Sequence, residues 1–329
     1  MAQLTYRDAV AAGIAQEMRR DPNVVLLGED VAAAGGVFKA TVGLLEEFGP
    51  KRVKDTPISE QAIVGAAMGA AMTGLRPIVD LMFSDFFAVT WDIVANQIAK
   101  TRYMTDGQVT LPLVIRSANG GGSRFGAQHS QSVENWGMMI PGLKIVAPAF
   151  PGDVKGMLAA AIRDDDPVLF FEHKYLYRRI KEELPEDGDD AVTPIGRARI
   201  VREGRDLSIL TYSAMVHKAM EAAERLERDD GLSVEVVDLR TLAPLDDAAI
   251  EATVRKTSRV LVVHEDTRTG GLAAEITARI NDRCFEWLDA PVRRVCAHDV
   301  PLPYAPPLED FVLPQTEDIV KASRWMAAY

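Results

Sequence analysis

The stretch DTPISEQAIVGAAMGAAMTGLRPIVDLMF (55–83) decides how this chain is read. Glu60 stands at the head of a run with no other charge until Arg76. The run suits a helix led by an acid, because the helix macrodipole favours negative charge at an N-terminus. Glycine inside a helix costs about 1 kcal/mol relative to alanine. Gly65, Ala66, Gly69 and Ala70 therefore predict a face that a neighbouring backbone approaches closely. RPIVDLMF (76–83) follows as a short apolar strand.

Working outward, the same alternation continues. Residues 5–20 have helical spacing and end in Arg19-Arg20, and NVVLLGED (23–30) reads as a strand running into acids. AAAGGVFKATVGLLEEFGP (32–50) predicts a helix after a glycine pair, with a Gly-Pro stop. DFFAVTWDIVANQIAKTRYM (85–104) predicts one long amphipathic helix. Strands are expected at 111–117, 143–148 and 167–174 and a helix at 151–165; ANGGGSRFGAQHSQS (118–132) is a glycine-rich loop. Short strands alternating with helices point to parallel α/β layers. The pattern breaks at KEELPEDGDDAVTP (181–194), which is polar, acidic and Pro/Gly-bearing. It restarts with strands at 207–213, 233–242, 259–266 and 292–297 and helices at 214–228, 246–257 and 270–285. The expected organisation is a domain over 1–180, a linker over 181–194 and a second α/β domain over 195–329.

Composition excludes several classes. A formal net charge of −11 over 329 residues argues against a nucleic-acid binder and an anionic membrane surface. The longest uncharged run, 61–75, is too short to span a bilayer. The N-terminal stretch has no apolar signal region, so a cytoplasmic protein is expected. Cys284 and Cys296 lack zinc-site spacing and read as reduced thiols. The glycine-rich loop fails the P-loop test, because Ala127-Gln128 stands where Lys-Ser/Thr is needed. No GxSxG or HExxH string occurs, so hydrolase and zincin mechanisms lose support. Of the five histidines, His129 is singled out because a glycine-rich loop presents it; a plain surface histidine is the competing reading. His264 reads first as a hydrogen-bonded residue at a sheet edge.

An ordered set of strings adds to this: GEDV (28–31), FGPKRVKDTPISE (48–60), GLRPIVD (74–80), AQHSQS (127–132), PGLKIVAP (141–148), AIRDDDPVLFFEHK (161–174) and DLRTLAPLD (238–246). Together they resemble the β subunit of the thiamine-diphosphate-dependent E1 component of 2-oxo acid dehydrogenase complexes. Pyruvate, branched-chain and acetoin types all fit. The resemblance implies a transketolase-like α/β architecture, with an N-terminal pyrimidine-binding fold and a transketolase C-terminal-domain-like fold. Such enzymes hold Mg²⁺ and the diphosphate with a GDG motif, which this chain lacks; its nearest string, GDD, lies at 188–190. The resemblance therefore implies a separate α subunit carrying that half in an α2β2 heterotetramer. An E2 acyltransferase, with lipoyl and peripheral subunit-binding domains, is the implied acceptor and docking partner.

Residue roles carry over position by position. The resemblance makes Glu60 the activating acid that hydrogen-bonds N1′ of the aminopyrimidine. Phe86 becomes the aromatic packed on that ring, with plain core as its other reading. His129 becomes the proton donor and acceptor around the carbonyl and during acyl transfer. Val89 departs from the glutamine usual in pyruvate types. Ser123 and Arg124 are substrate-contact candidates of lesser standing. Leu113, Ala161, Ile162 and Asp164 would offer carbonyl oxygens to a monovalent cation such as K⁺, with Asp166 replacing the usual asparagine; a helix C-terminus with acids before Pro167 is the other reading. The small-residue helix face is expected at a subunit interface. A non-catalytic assembly subunit and a stand-alone transketolase-like transferase remain as alternatives.

Overall fold

The computed structural model describes residues 2–184 and 192–329. Its contacts divide the chain into two compact units: residues up to Asn119 with Trp136–Ile195, and Gly120–Asn135 with Gly196–Tyr329. Among the described residues no helix is long and apolar enough to cross a membrane.

In chain order the first unit's strands are β1 (Ala2–Thr5), β2 (Val24–Gly28), β3 (Val53–Asp55), β4 (Arg76–Phe83), β5 (Val114–Asn119), β6 (Lys144–Val146), β7 (Val168–His173) and β8 (Lys181–Leu184). Its parallel sheet runs β6-β7-β5-β4-β2-β3. β5 and β7 are buried along their whole length, as expected where helices cover both sheet faces. From β2 the chain passes to β3 on one side and then to β4 on the other. The order therefore reverses between β2 and β4, and open α/β sheets bind ligands outside the carboxyl ends of strands at such a switch point.

The helix Glu60–Met72 and strand β4 form as the opening stretch predicts. Three expectations change. Only Leu44–Phe48 of the expected 32–50 helix is helical; Gly35, Gly36, Lys39 and Gly43 all have positive φ, which breaks the helical path before it. The expected 85–104 helix is segmented into a 3₁₀ turn (Ser84–Phe86), an α-turn pair (Phe87–Asp92), a π segment (Ile93–Ile98) and a final α segment (Ala99–Met104). The expected 181–194 linker begins as β8, paired antiparallel with β1. Residues 185–191, and with them the GDD string, lie outside the described residues.

The second unit's strands are β9 (Arg199–Arg202), β10 (Leu207–Thr211), β11 (Val234–Asp238), β12 (Thr241–Ala243), β13 (Val260–Thr267) and β14 (Arg293–Ala297). Its sheet runs β14-β13-β10-β11-β9, parallel except at β9. Here too the order reverses, between β10 and β13. Helices Met215–Asp230, Asp247–Thr257, Leu272–Cys284 and Thr316–Ala328 belong to this unit.

Candidate active site

In the first unit the candidates leave neighbouring strands at their carboxyl ends. Glu29 follows β2, Glu60 opens the helix after β3, and Phe86 closes the turn after β4. Gly28 sets the spacing at this point: a Cβ there would lie 2.8 Å from the Asp80 Cβ and 2.9 Å from its carbonyl oxygen. The missing side chain lets β2 lie against β4, with Gly28 in register with Asp80.

Glu60 is half-buried, and Ser59 accepts the first helical bond, from Ile63 N–H at 2.9 Å. Glu29 is buried, and its Oε1 has no hydrogen-bond partner among the described residues. Burial raises the Glu29 carboxyl above the ordinary carboxylate range, and the charges of Glu60, Asp30 and Asp80 push the same way. Glu29 thus stands within electrostatic reach of both Glu60 and Asp80. Asp80 in turn meets Arg116, a buried guanidinium that also grips Glu172 at 2.6 and 2.7 Å. Tyr177 donates to Glu172 at 2.8 Å. Burial raises Asp80 above the carboxylate range against the pull of Arg116. Glu29, Asp80, Arg116 and Tyr177, with Phe38 and Met82, line a cavity about large enough for one water. Phe86 is half-buried and meets Phe83 edge-on, ring centroids 5.8 Å apart. Val89 is 54% exposed.

His129 belongs to the second unit, so the structure assigns Glu60 and His129 to different compact units. Its loop is closed at the neck by Gly120 N–H donating to Gln131 O at 3.0 Å, and His129 N–H donates to Gly126 O at 3.3 Å. Positive φ at Gly120, Gly122, Arg124 and Gly126 turns successive N–H groups to one side, which makes an anion-binding nest. The anions are the protein's own. Gly121 N–H donates to Glu265, and Gly122 N–H donates to Glu309 at 2.9 Å. The Arg124 guanidinium is spent on Glu309 (2.6 Å), Asp310 (2.8 Å) and the Pro306 carbonyl (3.0 Å).

A half-buried carboxyl after β3 and a half-buried ring after β4 are the two groups that one end of an aminopyrimidine cofactor needs: an acid for a ring nitrogen and an aromatic for the ring face. The unpartnered Glu29 oxygen marks the same place. The glycine-rich loop does not fit the diphosphate end, because its inward amides are held by carboxylates.

Comparison with known proteins agrees with this geometry. The transketolase pyrimidine-binding-domain family matches residues 2–179, and the transketolase C-terminal-domain family matches 196–319. The chain is 48% identical to "2-oxoisovalerate dehydrogenase subunit beta" of Bacillus subtilis, each chain covered in full. It belongs to the β-subunit family of thiamine-diphosphate-dependent 2-oxo acid dehydrogenase E1 components. The β-1 subunit of the mitochondrial pyruvate dehydrogenase E1 component of Arabidopsis thaliana is 46% identical, covering 98% of this chain and 89% of the relative. The pyruvate dehydrogenase E1 β subunit of B. subtilis is 45% identical over 98% of both. A solved structure titled "Split gene transketolase, inactive beta4 tetramer" shares the fold, with a TM-score of 0.80 at 22% identity over 99% of this chain and 98% of that one.

In this E1 β chain the loop at 161–166, expected to offer oxygens to a monovalent cation, already makes several hydrogen bonds of its own. Ile162 O and Asp164 O each accept from Arg76 at 2.7 Å. Lys144 bonds the Asp164 carboxylate at 2.8 and 2.7 Å and lies 3.1 Å from Asp166, which also pairs with Arg102. Leu113 O accepts Val168 N–H and Ala161 O accepts Asp164 N–H. Three protein cations serve this loop. Sequence reasoning passed over Glu29 as a site residue; the signal was present in its position directly after an apolar strand, but only strand order brings it to Glu60.

Proposed function

We propose that this chain is the β half of a cytoplasmic E1 enzyme. Paired with an α subunit in an α2β2 heterotetramer, it decarboxylates a 2-oxo acid and passes the acyl group to the lipoyl domain of an E2 acyltransferase. The observation that carries this reading is full-length identity of 48% to a 2-oxoisovalerate dehydrogenase β subunit. The placement of Glu60 at the carboxyl end of β3, within electrostatic reach of Glu29 at the switch point, supports it.

Bound thiamine diphosphate, with its Mg²⁺ held on the α side, supplies a nucleophilic carbon and a sink for the electrons released with CO₂. Glu60 holds a proton at the pyrimidine N1′, which is acid–base work suited to a half-buried carboxyl. Glu29, whose carboxyl burial raises above the ordinary range, stands within electrostatic reach of Glu60. Phe86 packs on the ring. His129 gives and takes protons at the substrate carbonyl and at the lipoyl sulfur; proton transfer near neutral pH is histidine chemistry in general. The domain limits proposed for these tasks are 1–180 and 195–329. Potassium at the 161–166 loop would share the Ile162 and Asp164 carbonyls with Arg76, and exchanging KCl for NaCl in the assay reads whether it does.

The test is co-purification with an α subunit, followed by assay of pyruvate, 3-methyl-2-oxobutanoate and acetoin. An assembled complex that turns over none of them sinks the enzymatic reading and favours the assembly-subunit alternative.

A further inference from the structure

We infer that Glu265 and Glu309 are positioning residues for His129, acting through the backbone of the glycine-rich loop. This deepens the reading of His129 as the proton-transfer group and rests on it. Both acids lie in the second unit, as does the loop. Glu265 sits at the carboxyl end of β13, beside the switch point; Glu309 lies on the helix Pro306–Val312.

Glu309 is fully buried and Glu265 is 9% exposed. A buried carboxylate is costly unless its oxygens are well hydrogen-bonded. These two obtain their bonds from the loop. Glu309 Oε1 accepts Gly122 N–H at 2.9 Å and Arg124 N–H at 3.4 Å, while its Oε2 accepts the Arg124 guanidinium at 2.6 Å. Glu265 Oε1 accepts Gly121 N–H and the Ser132 hydroxyl, the latter at 3.4 Å. The bonds fall on both sides of His129, at 121–124 and at 132. The Tyr304 ring closes the arch: a Cβ at Gly126 would lie 2.2 to 2.5 Å from its carbons. Neither acid is offered to substrate by these contacts; both are spent on the backbone that carries the imidazole. A displacement of about 1 Å in such a group costs up to about 100-fold in rate.

The experiment uses the reconstituted α/β complex with pyruvate and 3-methyl-2-oxobutanoate. Glu309→Gln, Glu265→Gln, His129→Ala and the two double variants are compared in kcat and KM, with amide hydrogen exchange over 118–134. Glutamine keeps the shape and one carbonyl acceptor but loses the charge. Expected are kcat losses of about 10- to 100-fold in each glutamine variant with KM within about 3-fold. Exchange should be faster at 120–126 and unchanged elsewhere. Neither glutamine change should lower kcat further in the His129→Ala background, because residues acting as one unit are non-additive. Wild-type kcat in both glutamine variants, or losses that multiply with that of His129→Ala, overturns the inference. If His129→Ala itself keeps full kcat, the reading of His129 has failed and the positioning role falls with it. Should Glu309→Gln not fold, Glu265→Gln and Arg124→Gln, which removes the guanidinium strut, carry the same comparison.

Discussion

At the residue scale, Glu60 is the acid on which the proposed pyrimidine contact rests, with buried Glu29 within electrostatic reach of it. Glu60→Gln removes the acid from the proposed pyrimidine contact and leaves helix and shape intact. Turnover of the reconstituted complex should fall by at least about 100-fold, the usual worth of a positioned acid–base group. Gel filtration should show the complex unchanged; wild-type turnover would refute the assignment. Elsewhere, His264 and Asp266 are shifted in opposite directions by burial. Burial holds His264 down at about 4, with Arg294 also lowering it, and Asp266 is raised to about 7, again by burial first. His264 Nε2 lies 3.5 Å from Cys296 Sγ, and burial raises that thiol to about 11, so it stays protonated. The depressed histidine loses stability as pH falls from 6.5 toward 4, because the unfolded chain takes up a proton the folded one refuses. The raised aspartate loses stability as pH rises from 3.8 toward 7. The slopes are opposite, each about 1.4 kcal/mol per pH unit where it applies, and nearly cancel between pH 4 and 6.5. His264→Gln should therefore gain stability relative to wild type as pH is lowered through that window. Melting curves at several pH values check this, and a pH-independent difference counts against it. None of this was legible in the sequence: His264 read as a sheet-edge histidine, and its burial comes from β14 and from Gly271, where a Cβ would lie 2.6 Å from the imidazole.

At the element scale, the helix Glu60–Met72 has two sides. Ile63, Val64, Ala67 and Ala71 are buried in their own unit, and Gly65 would place a Cβ 3.3 Å from Ile93 Cδ1. Ala62, Ala66 and Gly69 are exposed, and a Cβ at Gly69 meets nothing within 4 Å. A glycine in a helix with open space beside it forgoes about 1 kcal/mol of helix propensity for no contact within its own chain. Gly69→Leu should leave the isolated chain as stable as before or slightly more so, while blocking association with the α subunit. Thermal melting and gel filtration with the partner read the two halves separately; normal assembly would remove this face from the interface. The helix and β4 were legible because a long uncharged run led by an acid is followed by a short apolar stretch. The π segment at 93–98 was not, since α and π registers leave nearly the same amphipathic pattern over six residues. The pairing of β1 with β8 was missed for another reason. β8 alternates exposed and half-buried positions and reads KEEL, which looks like linker until a partner strand is known.

At the scale of the whole molecule, the expectation of a divided active site begins as a missing motif and continues as a proposal about charge. The sequence suggested a glycine-rich loop of uncertain purpose; only the fold shows that its amides point at Glu265 and Glu309. A diphosphate entering there would have to displace two buried carboxylates, both bearing the same sign of charge as the ligand. At the other candidate place the acids Glu29, Glu60 and Asp80 come together, and the chain as a whole carries a formal charge of −11. Pyrimidine contacts alone would have to hold a polyanionic cofactor against that field. Micromolar affinity needs about 8 kcal/mol of net binding free energy, which one carboxyl and one half-buried ring do not supply. The purified chain should therefore show no Mg²⁺-dependent binding of thiamine diphosphate by calorimetry at 100 μM protein, and binding should appear when the α subunit is added. Micromolar binding by the isolated chain would show that the diphosphate site is complete without a partner and would return the stand-alone transferase to contention.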